Sequence, residues 1–416
     1  MWSYFYEWLS FAVRWLHVIA AMAWIGESFY FIALDLGLRK HRVLPDGVSG
    51  EAWQVHGGGF YHLQKYTVAP AEMPEDLHWF KWESYTTWLS GAALLFLVYY
   101  VGADLHLIDP HKADLSPLSA SLISIAGIAL GWIVYDWLCK SPLKRNDTAL
   151  LAALAIYVVV ASYLFSQIFS GRGAMLQTGA LIATVMTANV FFLIIPNQKI
   201  VVADLKAGRT PDPQLGLDAK QRSLHNNYIT LPVIFLMLSN HYPLAFATEW
   251  NWAIAGLVML TGAVIRHFFN TKHKTGRQLY WCWGVAAVLF VVIIALSGFP
   301  GWNAGSPEAD DTAAHEWTQD PQLALATSPE FADATMIVQS RCSMCHAREP
   351  LWPGVSHAPR DVLLETEADI VHNWTRIETQ AVRSHAMPPG NVTELEPEER
   401  LALAQWIASG DGLYHP

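Results

Sequence analysis

Leu16-His17-Val18-Ile19-Ala20-Ala21-Met22-Ala23-Trp24-Ile25-Gly26-Glu27 is the middle of an apolar segment covering residues 11–36. A segment of that length crosses a bilayer, which takes roughly 17–25 residues. Seven further stretches, 86–102, 118–138, 149–169, 173–195, 228–246, 252–269 and 279–299, repeat the pattern, with 86–102 and 252–269 the least pronounced. Tryptophan and tyrosine gather at many of their ends (Trp2, Trp8, Trp82, Trp88, Tyr99, Trp250, Trp252, Tyr280, Trp281), as interfacial anchors do. The whole chain is 53% hydrophobic and 15% charged, against roughly 25% charged in soluble domains. An all-α, polytopic membrane bundle of about eight helices follows for residues 1–300.

Loop charge sets an orientation. The connections at 37–85, 139–148, 196–227 and 270–278 hold sixteen Lys and Arg, and the alternate ones hold two. Positive loops stay in the cytoplasm, so both termini are expected outside. The N-terminus has neither a basic leader region nor a small-residue cleavage site, so its first apolar segment is expected to remain as a span. No solenoid-type repeat is visible.

The last quarter differs in character. Residues 304–416 carry 18 Asp and Glu against 6 Lys and Arg, so a second, acidic domain is expected outside the membrane. Residues 301–326, rich in Gly, Pro, Ser, Asp and Ala, read as a linker. Residues 327–416 then form a small all-α domain, with helices at 331–341, at 367–382 and from Pro397, where Glu398 and Glu399 suit a helix start. The last carries Leu401, Leu403, Trp406 and Ile407 on its apolar face. No basic patch points to nucleic acid.

Within that domain stands Cys342-Ser343-Met344-Cys345-His346. C-x-x-C-H marks covalent attachment of a c-type haem, with two thioether links and the adjacent imidazole as proximal ligand. Zinc and redox-dithiol readings are the alternatives. Haem of this type is attached outside the bacterial membrane, the side that loop charge gives independently. Met387, in Ala386-Met387-Pro388-Pro389-Gly390, is the expected sixth ligand, in a loop stiffened by proline. His385, His357 and His372 compete with it. A core this small gains from helices wrapped around one bound group. Cys139 and Cys282 read as packed thiols.

Polar residues inside apolar segments are costly and need partners or work. His17 and His241 fall at equal depth toward the outer ends of their segments. They are either hydrogen-bonded structural histidines or ligands of a second, non-covalent haem. Toward the inner face lie Glu27, Asp35, Asp136, Asn189, the run His225-Asn226-Asn227-Tyr228, and Arg266-His267. The long first loop adds His56, Gly57-Gly58-Gly59, His62, Lys65, Glu72, Glu75, His78, Lys81 and Glu83. It is longer than a connection requires and is expected to cap a polar pocket. Taken singly, each of these residues is more simply a solvated side chain. The three glycines lack the spacing of a nucleotide fingerprint, and no flavin or nicotinamide motif is present.

The chain resembles the bacterial membrane-bound urate hydroxylases, in which a multi-span urate oxidase domain is fused to a cytochrome c. The resemblance rests on the 16–27 stretch, the 56–65 loop, His225-Asn226-Asn227-Tyr228-Ile229-Thr230-Leu231-Pro232 and Ser384-His385-Ala386-Met387-Pro388-Pro389-Gly390-Asn391. It covers the whole length. It implies oxidation of urate to 5-hydroxyisourate with oxygen from water. Electrons would then pass through one covalent haem c, held by Cys342, Cys345, His346 and Met387, to a terminal oxidase or other cytochrome. It implies the bacterial inner membrane, with the cytochrome domain periplasmic, and it transfers no catalytic residues. The first-span motif is also similar to that of membrane porphyrinogen oxidases and copper-resistance proteins, where an early transmembrane histidine can serve haem.

Urate is a flat acid, so a cation or amide donors are expected beside it: Arg266, Lys65, Asn226 and Asn227, with Glu27 or His225 as proton acceptor. Two other classes stay open. One is a quinol-linked electron-transfer subunit, and the other a transporter or sensor whose cytochrome reports redox state.

Overall fold

The computed structural model describes residues 2–40, 44–66, 70, 73–109, 112–246, 248–297, 321–352, 355, 358–359 and 362–411. The chain is mostly helical. Among the described residues, five helices are long and apolar enough to cross a membrane: Trp8–Gly37, Pro117–Lys140, Asp147–Ile168, Gly171–Lys206 and Asn251–Thr275. The first is the greater part of α1 (Trp2–Gly37). The other three expected segments are helical but shorter or more polar. One is α2 (Trp82–Leu94), continued by a π-helical turn over Leu95–Tyr100. A short α3 (Ala103–His106) follows it.

Local chemistry sets the boundaries. Ser116 caps α4 (Pro117–Lys140) by accepting from Ser119 N, with proline in the first helical position. Asn146 caps α5 (Asp147–Ile168), and Ser170 caps α6 (Gly171–Ala188). From α6 the rod runs through a π-helical turn, Asn189–Ile194, into α7 (Ile195–Lys206). Asp212 caps α8 (Pro213–Ser239), whose first turns are polar. A four-residue α9 (Pro243–Phe246) precedes α10 (Asn251–Thr275), which ends on Gly276 in the left-handed conformation. The sixteen-residue α11 (Trp281–Leu296) closes the bundle.

The core of the bundle collects Leu107, Leu150, Phe169, Leu181, Leu236 and Ile254, all essentially buried. Outward, α4 and α11 expose Ile125, Leu130, Ile133, Trp137, Val288 and Val291. An apolar surface of that extent is what lipid contact requires. Gly262 on α10 lies so close to α8 that a Cβ would stand 2.5 Å from Pro232 Cδ, which brings these two helices together. Cys139 and Cys282 are buried and unpaired, as packed thiols should be.

The all-α expectation needs correction at the first long loop. Residues 48–66 form an antiparallel hairpin, β1 (Val48–His56) with β2 (Gly59–Tyr66). Gly57 and Gly58 both adopt positive φ, 58° and 80°, the conformation a tight two-residue hairpin turn demands. Their work is to reverse the chain.

The C-terminal unit is helical: α12 (Pro321–Thr327), α13 (Phe331–Arg341), α14 (Glu367–His372), α15 (Trp374–Ile377) and α16 (Pro397–Asp411). Its core joins Leu325, Val338, Ile370, Leu403 and Trp406. Trp406 Nε1 donates to Leu325 O at 3.2 Å, so α12 packs into this unit. Most of the expected linker, 301–320, lies outside the described residues.

Candidate functional site

Near the hairpin, a cavity of about 650 Å³ opens among α1, β2, the chain that follows β2, the α6–α7 rod and α8. Glu27, Phe31 and Asp35 repeat every four residues and so share one face of α1. Lys65 enters from β2, His78 from the following loop and Asn226 from α8, while Trp24, Trp79 and Phe80 supply aromatic wall. Lys65 Nζ pairs with Asp35 Oδ2 at 2.6 Å, which leaves the ammonium further N–H groups. Two carboxylates (Glu27 and Asp35), one lysine and three amides (Gln64, Gln198 and Asn226) therefore line one space beside aromatic rings.

The expected donor set is otherwise split. Asn226 and Asn227 are adjacent on α8 and point about 100° apart. Asn227 turns to a second buried cluster, where its Oδ1 accepts from Asn270 Nδ2 at 3.0 Å and from Arg266 Nε at 3.3 Å. Arg266 also lies over the Phe29 ring at 4.2 Å. Neither Arg266 nor Asn227 lines the cavity. His225 faces Tyr135 Oη at 2.9 Å and Cys139 Sγ at 3.8 Å, away from it. In the hairpin, His62 pairs with Glu51 at 2.7 Å and stacks on Trp53. Glu72 lies outside the described residues.

Two buried residues that the sequence reading passed over complete the wall behind Asn226. Arg222 donates to Asp136 Oδ1 at 2.7 Å and to Asn189 Oδ1 at 3.2 Å, and Tyr135 Oη receives from Asn189 Nδ2 at 2.9 Å. Their signal was available: Arg222 and Asn226 stand four apart on one helix, hence on one face.

The two histidines expected to share a depth differ. His17 lies well inside α1, with Nδ1 on Thr87 O at 3.0 Å and Ser90 Oγ at 3.1 Å. Its ring fills the space that Gly91 leaves: a Cβ there would be 3.0 Å from His17 Cε1. The sixth expected segment ends early, at Ser239, and His241 sits exposed in the turn beyond. Pro243 closes that turn and starts a new short helix.

In the C-terminal unit, Cys342 caps α13 and His346 N donates back to Cys342 O at 3.0 Å. His346 Nδ1 pairs with Val362 O at 2.9 Å, so Nδ1 carries the proton and the Nε2 lone pair is left for a metal. Close packing pushes the Cys342 thiol up to about 12 and raises Cys345 as well. Burial lowers His346, partly offset by the Val362 carbonyl. Among the described residues no three or more His, Cys, Asp or Glu side chains converge on a metal-ion position.

Met387 is tied through its backbone: N to Gln380 O at 2.8 Å, and O from Arg400 Nη1 at 3.0 Å. Its side chain is half-buried, whereas His385 and His372 are exposed, and His357 lies outside the described residues. The same loop meets the opposite end of the bundle from the cavity. Ala386 joins the buried core of the bundle, and Gly390 lies against the Ile108 carbonyl.

Residues 3–297 match the family model described as urate oxidase N-terminal. Comparisons with curated proteins and with solved structures give no match.

Proposed function

The chain belongs to the urate oxidase N-terminal family, and from that premise we propose that it is a membrane-bound oxidoreductase that hydroxylates urate. Urate and water give 5-hydroxyisourate, two protons and two electrons. The observation that carries this reading is the convergence of Glu27, Lys65 and Asn226 on one aromatic-walled cavity. Lys65 would attract the urate anion, and Asn226 would hydrogen-bond its ring edge. Glu27 would take a proton from urate or from the attacking water, work that suits a carboxylate in a partly enclosed site. Trp24, Trp79 and Phe80 would hold the ring flat and thin out competing water.

Cys342 and Cys345 would carry a covalent haem c, with His346 and Met387 as its axial ligands. The free Nε2 of His346 and the half-buried Met387 fit that role. Such a group supplies a one-electron acceptor, at a potential raised by the His/Met pair. His17, with Nδ1 already engaged, would offer Nε2 to a second, non-covalent haem. We further read eight spans in the bacterial inner membrane, both termini periplasmic, and a terminal oxidase or another cytochrome as the final acceptor. Loop charge and the site of c-type haem attachment support that orientation independently.

The test is turnover of purified full-length protein with urate in H2¹⁸O under argon, ferricyanide serving as oxidant. The reading expects ¹⁸O in 5-hydroxyisourate. Urate consumption that requires O2, or none at all, would overturn it.

A further inference from the structure

Asn226 can turn either end of its amide toward a ligand, and its neighbours decide which. Arg222, 2% exposed, is a donor only, so the Asn189 oxygen must be the atom that faces it at 3.2 Å. The Asn189 nitrogen then faces the other way and donates to Tyr135 Oη and to Asn226 Oδ1, each at 2.9 Å. Asn226 completes the chain by donating Nδ2 to the Met186 carbonyl, an acceptor only, at 3.0 Å. A flipped Asn226 would set N–H against N–H and oxygen against oxygen. Its amide is therefore fixed from both ends.

A side-chain amide has two N–H groups and two carbonyl lone pairs. One of each is used within this chain, which leaves one donor and one acceptor side by side on a residue of the cavity wall. That pair, in fixed order, is complementary to a ring edge on which C=O and N–H are neighbours. We propose that Arg222, acting through Asn189, is a positioning residue that locks Asn226 to read such an edge, so that the cavity selects flat cyclic ureides. Lys65, with N–H groups left over from its pair with Asp35, adds a further donor at the cavity. The π-helical turn that begins at Asn189 is the local departure that sets this residue between helices α4 and α8. The inference rests on reading the cavity as the substrate site.

The test is calorimetric binding to the full-length protein of xanthine, a cyclic ureide, and benzimidazole, a flat ring of similar width without that edge. Asn189→Asp keeps the acceptor for Arg222 but removes the donor to Asn226. Asn226→Asp keeps the shape and removes the outgoing donor. Each is expected to weaken xanthine by about tenfold, the worth of one hydrogen bond, and to leave benzimidazole within twofold. In turnover, Asn189→Asp should raise KM for urate with kcat within twofold. Should Asn189→Asp fail to fold, Asn226→Asp and Asn226→Ser carry the same comparison. Equal weakening of both ligands, or of neither, overturns the inference. Binding is read without oxidation, so xanthine discrimination in a protein that does not oxidise urate would sink the proposed function and leave this inference standing.

Discussion

Lys65 on β2 and Asp35 on α1, both lining the cavity, are joined by a 2.6 Å ion pair. Both side chains are partly exposed, so the pair contributes only about 0–1 kcal/mol to stability. Its consequence is positional, since it holds the hairpin cation beside the cavity. Lys65→Met is expected to raise KM for urate by about tenfold to a hundredfold, the worth of a charge-assisted hydrogen bond, with thermal stability almost unchanged. Steady-state kinetics beside a melting curve separate the two, and an unaltered KM would remove Lys65 from the site.

Glu27 is the carboxylate of the cavity that no other described side chain ties down by a hydrogen bond or ion pair. Glu27→Gln keeps volume and polarity and removes the base. Loss of a positioned acid–base group costs about 10²–10⁴-fold in kcat. Single-turnover urate consumption measures it directly. Retention of more than about a third of the wild-type rate would assign proton removal elsewhere.

The C-terminal unit offers a pH test. Thr366 Oγ1 accepts from Asp369 N at 3.1 Å, and Asp369 Oδ2 accepts from Thr366 N at 3.0 Å, a reciprocal cap on α14. The Thr366 hydrogen bonds hold the Asp369 carboxyl below its ordinary value of 3.8. A depressed folded-state value gives stability that is present above the unfolded value and lost as pH falls through the folded one. Thr366→Ala is expected to destabilise α14 by about 1 kcal/mol at pH 7, and the deficit should shrink below about pH 4. Amide hydrogen exchange on α14 reports it, and a deficit independent of pH would contradict the assignment.

Gly390 has φ of 56°, and a Cβ there would stand 2.5 Å from Ile108 O. Both its backbone and its neighbour exclude a side chain. Gly390→Ala is expected to loosen the seam between the Met387 loop and the bundle. Faster amide exchange at Leu107 and Ile108 would show this, and unchanged exchange there would mean that the two units do not depend on this contact.

Much of the fold was legible because hydrophobic length and caps act locally. Most of the apolar segments, the helix at 331–341 and the helix starting at Pro397 appear where the chain chemistry puts them. The hairpin was missed although Gly57-Gly58 stood in view, because the glycines were weighed against a nucleotide fingerprint and not against a two-residue turn. His241 was misplaced because an apolar run continues past the helix end that Pro243 enforces. The site was half legible. Residue type nominated Glu27, Lys65 and Asn226, but not which of Asn226 and Asn227 faces the cavity, a choice made by helix rotation. The four-residue spacing of Arg222 and Asn226 put both on one helix face, but the partners of Arg222, Asp136 and Asn189, lie on other helices and come together only in the fold.

The most direct measurement is the visible spectrum of the purified, oxidised protein as urate is added under argon. The account predicts growth of the reduced haem c bands without any added mediator, with each urate able to reduce two haems. A haem that dithionite reduces and urate leaves oxidised would contradict it.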